Sequence, residues 1–401
     1  MAVKKRGMVI MGIGIAAIVC IGLVGPLRGM AQGKEGAPLN KHFFSMAVSD
    51  RSEVASVSAL SVKDRETPDS DKVLSTSSSN VLYRTITDMA GRSVRIPINV
   101  SNVMGTSPPP ITFVYMLAPE KLGGWIAPPS KDAAKFIPGA FRNIPVFGWG
   151  RGSINYEAYI AAHPDLVFVG GETELDLSRI EMVQGKMGSI PVVCVGKTRD
   201  AINYGRIIKF IGDVLACPDR AQMLITYYQD VLDEVHVKVK AIPEEKRVRV
   251  YYAEGNNGLS TDPRGSPHSQ LIDVCGGINV ADCRLTSGTG RTEVTMESVL
   301  MWNPEVIFTT SREFAIHAHG DATWKKVPAI FNHQVHLAPS NPFNWFDRPP
   351  GVNRIVGIPW TAHVLYPERF SKEWFRKKVK TFYSIYYHYH LSDEELHVLL
   401  N

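Results

Sequence analysis

The sequence predicts an α/β protein of two lobes, each built on a mostly parallel sheet, joined by one long rigid helix. Three observations carry this prediction. Short apolar runs at 166–170, 192–196, 248–253, 306–310 and 335–338 alternate with helical patterns, as strands and crossover helices do. A charged, amphipathic stretch from about Pro218 to Ala241 lacks glycine and is closed by Pro243; at 1.5 Å per residue it spans roughly 35 Å, a domain's length. On either side of it lies an internal repeat, in which residues 155–168 match residues 295–308. Each copy holds a glutamate, a short helical turn, a proline before an acidic residue, and then a buried strand.

At 401 residues, 44% hydrophobic and 21% charged, the chain can bury a core in two or three domains. A net charge of +5, with short basic clusters only at 4–6 and 376–378, argues against a nucleic-acid partner. Residues 1–31 read as a secretory signal. Lys4, Lys5 and Arg6 precede an apolar stretch from Met8 to Val24, and Gly29-Met30-Ala31 supplies the small residues of a cleavage site. At roughly 17 residues the stretch also reaches the lower limit of a membrane span, so an uncleaved anchor is the alternative. Lipidation at Cys20 is disfavoured, because Val19 stands where a small residue is needed. Either way the rest of the chain is expected outside the cytoplasm, periplasmic or tethered to the outer face of the membrane. Export permits disulfides, and Cys275 and Cys283 flank a Gly-Gly turn across which they can pair. Cys194 sits in an apolar run and reads as a small buried hydrophobe, while Cys217 completes the set. No CxxC occurs, which disfavours structural zinc and thioredoxin-type chemistry.

Residues 32–81, rich in Ser, Asp, Lys and Glu, read as a flexible spacer. Alternating runs at 81–88 and 94–97 around an Asp/Gly turn predict an opening hairpin. The expected division is then an N-terminal lobe at 82–217, a connecting helix at 218–242 and a C-terminal lobe at 243–401.

Five stretches together carry a resemblance to a known family: Thr85-Ile86-Thr87-Asp88-Met89-Ala90-Gly91-Arg92, Ile190-Pro191-Val192-Val193, Ala221-Gln222-Met223-Leu224 with the long helix after it, Gly276-Gly277-Ile278-Asn279-Val280, and Trp324 through Ala338. Over about 83–390 the chain resembles the substrate-binding proteins of ABC importers for ferric siderophores, haem and cobalamin, of the helical-backbone metal-receptor type. The resemblance implies Rossmann-like lobes with a ligand cleft between them, a transported metal complex, iron in the first place, and no catalysis. It also implies a monomer that works with a membrane permease and its ATPase. The family docks through one glutamate per lobe, which by motif position are Glu157 and Glu297; as plain helix N-terminal charges they would instead serve the dipole.

In such a fold the ligand meets loops that follow strands. Pro109 and Pro110 lie in a Ser-Pro-Pro-Pro helix entry that can turn a helix N-terminus toward an anion or merely stiffen the loop. Trp149 and Arg151 stand among glycines, where Trp149 can stack on a chelate or pack in the core. Phe314 opens a loop that carries His317 and His319, a His-x-His pair able to bind a transition metal or to sit as surface histidines. Trp345 and Arg348 belong to Asn-Trp-Phe-Asp-Arg-Pro-Pro, a stiff wall in which Arg348 can grip an oxyanion or pair with Asp347. His388 and His390 lie in an aromatic run and read as packing. A ferric siderophore-like chelate is the expected ligand, with nickel chelate, cobalamin and molybdate or tungstate as alternatives. An exported metallohydrolase on His317 and His319 is the competing class, but HExxH, GxSxG and GxxxxGK[ST] are all absent.

Overall fold

The computed structural model describes residues 81–400 except 151–152, 172–175 and 287–289. The signal or anchor at 1–31 and the spacer at 32–80 lie outside the described residues. The chain opens on an antiparallel hairpin, β1 (Tyr83–Thr87) and β2 (Ser93–Pro97). Asp88 at its turn accepts from the Ala90 and Arg92 amides and from the Cys194 amide, while Arg92 donates to the Val192 carbonyl. These bonds fasten the turn to the edge of the first sheet.

The N-terminal lobe comprises β3 (Val103–Gly105), α1 (Pro108–Leu117), α2 (Gly139–Arg142), β4 (Trp149–Gly150), β5 (Ser153–Ile154), α3 (Tyr156–Ala161), β6 (Leu166–Gly171), α4 (Leu177–Met187), β7 (Val192–Lys197) and α5 (Tyr204–Val214). Its three-stranded sheet runs β3-β6-β7, all parallel. Burial on both faces is why 166–169 and 192–195 read as unbroken apolar runs rather than alternating ones.

The connecting helix α6 (Pro218–Lys240) is 23 residues long, and Pro218 sits at its first turn, where a missing N–H costs nothing. One stripe is buried: Ala221, Leu224, Tyr227, Tyr228, Val231, Leu232, Val235 and Val239. A Cβ built on Gly212 of α5 would lie 2.4 Å from that of Ala221, so the first turn packs tightly on the N-terminal lobe. A Cβ on Gly276 would lie 2.8 Å from that of Val239, so the last turn packs equally tightly on the C-terminal lobe.

That second lobe comprises β8 (Arg249–Ala253), β9 (Ser260–Thr261), α7 (Gln270–Val274), β10 (Ile278–Asn279), β11 (Thr292–Glu293), α8 (Met296–Trp302), β12 (Val306–Thr309), α9 (Arg312–His317), α10 (Pro328–Phe331), β13 (Val335–Leu337), α11 (Arg354–Leu365), α12 (Lys372–Tyr386) and α13 (Asp393–Leu400). Its sheet runs β10-β8-β12-β13, again parallel throughout. All five apolar runs are strands, and the repeat becomes α3–β6 in one lobe and α8–β12 in the other.

The end of α12 and the turn after it pack on the first lobe. There the Tyr115 hydroxyl donates to the Tyr387 carbonyl at 2.7 Å, and Phe136 packs edge-on against Tyr383 and Tyr389. Cys275 and Cys283 are not bonded: Cys194, Cys217, Cys275 and Cys283 are all free, and the buried Cys275 thiol donates to the Ile358 carbonyl at 3.3 Å.

A buried fastening also joins the lobes. Arg354, fully buried at the start of α11, donates to the Tyr204 hydroxyl (3.1 Å) and the Pro267 carbonyl (2.6 Å), and also to the Arg199 carbonyl. Gln270 accepts from the Ala201 amide and donates to Asp200, and Tyr204 donates to the Gly351 carbonyl. Among the described residues no helix is long and apolar enough to cross a membrane.

Candidate ligand site between the lobes

The carboxyl ends of the C-terminal lobe's strands converge on one buried network of charge. Glu254 follows β8, Asp262 follows β9, and Asp347 and Arg348 occupy the loop after β13. Asn344 shapes that loop, its Oδ1 accepting from the Phe346 and Asp347 amides at 2.8 and 2.9 Å. Arg348 Nε donates to Glu254 Oε1 and Nη2 to Asp262 Oδ2, both at 2.6 Å, with Asp347 Oδ2 3.2 Å from Nε. Around the rim, Ser266 donates to Asp262 at 2.7 Å, Tyr252 donates to Asp347 at 3.1 Å, and His268 Nδ1 lies 2.9 Å from Asp347. Arg291 Nε reaches the same Glu254 oxygen at 3.4 Å with half its side chain exposed. Two guanidinium groups are therefore gathered on one carboxylate oxygen.

Three buried carboxyl groups around one half-buried guanidinium, if all ionised, hold more negative charge than that cation balances. Burial pushes the Glu254 carboxyl up to about 8, aided by a hydrogen bond with Asp262 and opposed by Arg348. Although Glu254 and Arg348 approach like an ion pair, burial favours the protonated form of this carboxyl. Its Oε2 is buried and has no hydrogen-bond partner. Asp262, His268 and Asp347 bring ligand atoms within 4.8 Å of one another, the one such group among the described residues. Asp262 Oδ2 and Asp347 Oδ2 already face Arg348, at 2.6 and 3.2 Å.

The N-terminal lobe's own strand ends lie against the same loop. A Cβ on Gly351, three residues past Arg348, would lie 3.7 Å from Pro109 Cβ. Pro109 and Pro110 are buried in the first turn of α1, and Pro110 packs beside Gly170 at the end of β6. Residues 108, 109 and 110 are all proline and have no N–H to donate. What the loop does present is Thr106, a buried residue after β3 whose Oγ1 has no hydrogen-bond partner. His268 Nε2 and Thr261 Oγ1 are buried and unpartnered in the same way on the other lobe.

The other expected site residues separate. Arg151 lies outside the described residues; Trp149 is in β4, paired with Ile154. Trp345 is fully buried against Phe375 and Tyr383, and Phe314 is buried against Trp324, so both are core residues instead of cleft walls. His317 ends α9 at the surface and His319 stacks on His333, and among the described residues no metal-capable group of three forms there. Glu157 and Glu297 take matching places, both exposed in the first turns of α3 and α8, whose caps Asn155 and Thr295 accept from the Ala158 and Ser298 amides. Those turns hold the Glu297 carboxyl below its ordinary value through hydrogen bonds from its own amide and from Thr295. Of the expected ligand contacts, Arg348 alone joins the charged network. The sequence reading missed Glu254, Asp262, His268 and Arg291. Glu254 carries a signal, since it directly ends an apolar strand, but the others come together only through folding.

The family model for periplasmic binding proteins matches residues 129–342. An ABC transporter solute-binding protein from Sulfurospirillum deleyianum is 32% identical, with a TM-score of 0.72 over 79% of this chain and 98% of that one. The molybdate-binding protein MolA of Haemophilus influenzae is 25% identical over 76% of this chain and 91% of its own length. A vitamin B12-binding protein of Salmonella paratyphi A is 28% identical over 40% of this chain and 56% of that protein. The two lobes, the helix between them and the match to more than half of the chain lead to one conclusion: this chain belongs to the periplasmic binding protein family, among the substrate-binding proteins of ABC transporters.

Proposed function

We propose that this protein captures a small metal oxyanion, molybdate or tungstate in kind, outside the cytoplasm and hands it to an ABC permease. The observation that carries the reading is the pair of guanidinium groups, Arg348 and Arg291, held on one oxygen of Glu254 at the mouth of the C-terminal lobe. Paired guanidiniums have the N–H geometry that a tetrahedral dianion takes, once the ligand replaces their carboxylate contacts. The similarity to MolA along most of its length supports the same choice. The ferric siderophore-like chelate expected from the sequence loses its aromatic contacts at Trp345 and Phe314, which are in the core. Titration calorimetry of the exported protein against molybdate, tungstate, sulfate, a ferric catecholate, a nickel–histidine chelate and cobalamin tests the reading. Molybdate or tungstate is expected to bind at micromolar or tighter affinity, and Arg348→Ala and Arg291→Ala to weaken it about tenfold or more each. Binding of a chelate or cobalamin with no oxyanion heat overturns it.

For delivery, Glu157 and Glu297 are the docking carboxylates, one on each lobe, set to pair with basic permease loops. Their equivalent placement by the repeat, α3 against α8, supports this role. Glu157→Ala with Glu297→Ala is expected to abolish uptake in cells while leaving oxyanion affinity within twofold. Uptake that survives the double change refutes the docking role. The protein acts as a monomer, exported by its N-terminal segment, and performs no catalysis.

A further inference from the structure

The two copies of the repeat share more than a glutamate. Tyr159 in α3 and Val299 in α8 occupy equivalent positions, and both are buried, so the two helices present the same face to their own lobes. With that face inward, Glu157 and Ile160 lie three residues apart on the outside of α3, and Glu297 and Met301 lie four apart on the outside of α8. Ile160 is 41% exposed and Met301 is 75% exposed. Each lobe adds further apolar surface on the neighbouring helix. On the first it is Leu177 and Met182 of α4, and on the second Phe331 of α10, 77% exposed. The Ala329 amide bonds to the Pro304 carbonyl, which sets α10 against the end of α8.

Exposed large aliphatic side chains are ordinary when scattered singly. Here one stands within a turn of the docking glutamate on each lobe, Ile160 at i+3 and Met301 at i+4, although the repeat does not match these two positions to each other. We propose that each lobe docks through a mixed patch, a glutamate flanked by apolar side chains, Glu157 with Ile160 and Glu297 with Met301. The permease loop that fits it carries an arginine or lysine beside an apolar residue. The inference rests on the docking role of the two glutamates and adds what surrounds them. Charge alone, in water at physiological salt, gives weak and strongly screened pairs. Apolar side chains buried around each pair exclude water from it, as near-neutral rims do around interfacial hot spots.

The test uses the full exported protein and the permease–ATPase complex of its own importer, reconstituted in nanodiscs. Binding is measured by interferometry from 50 to 500 mM salt for the natural protein, for Ile160→Ser with Met301→Ser, and for Glu157→Ala with Glu297→Ala. All four positions are exposed, and matched unfolding midpoints establish that each variant is folded. The apolar double variant is expected to bind about tenfold or more weakly at every salt concentration while keeping the natural salt dependence. The glutamate variant is expected to lose affinity and to flatten the salt dependence. Affinity of the apolar variant within twofold of the natural protein overturns the mixed patch. An unchanged glutamate variant overturns the charge pairing instead, so the two failures are told apart.

Discussion

Changing Glu254 to Gln separates an ionised carboxylate from a protonated acid at the centre of the network. Glu254 is 1% exposed, and its carboxyl is raised from 4.5 to about 8 by burial and by Asp262 against the pull of Arg348. In the unfolded chain the proton leaves near 4.5, while in the folded protein it stays until about 8. Between these values the folded state therefore holds more protons, and stability falls as pH rises. At about 1.4 kcal/mol per pH unit, the loss across that window approaches 5 kcal/mol as an upper bound. Glutamine keeps the acceptor for Arg348 and nearly the shape of the acid, but never ionises. Urea denaturation of both proteins at intervals from pH 4.5 to 9 reads the difference. The two are expected to have similar stability near pH 4.5, and Glu254→Gln to gain on the natural protein by several kcal/mol by pH 8.5. A constant difference across the range, or a natural protein that gains on the variant as pH rises, refutes the protonated acid; the second result would mean an ion pair with Arg348.

Two further outcomes follow from packing. Arg354→Met keeps the apolar stem but strands the Pro267 and Arg199 carbonyls at the lobe boundary, and should cost about 2–4 kcal/mol in urea, with faster amide exchange at 199–204 and 267–271. Gly258→Ala places a methyl 2.2 Å from the buried Phe314 ring at a φ of +73°, and should cost about 2–4 kcal/mol; a loss below 0.5 kcal/mol would mean that Phe314 is free to move aside.

The sequence by itself determined the architecture. Strands buried on both faces must be continuous apolar runs, so Leu166–Gly171, Val192–Lys197, Arg249–Ala253 and Val306–Thr309 were legible without coordinates. A helix of 23 residues with one apolar stripe and no glycine was equally plain, and a repeated segment on each side of it required two similar lobes. The site was not legible in this way. Arg348 was recognisable as a charge in a stiff loop, yet whether it meets a ligand or its own carboxylates depends on Glu254 and Asp262, 94 and 86 residues away in the chain. Trp345 and Phe314 look the same in sequence whether they face a cleft or a core. Only packing against Phe375, Tyr383 and Trp324 decided that they face inward. Local pattern sets the periods of helices and strands because those forces act between near neighbours. Charge balance and burial are set by groups far apart in sequence, so only the tertiary structure decided which residues form the site.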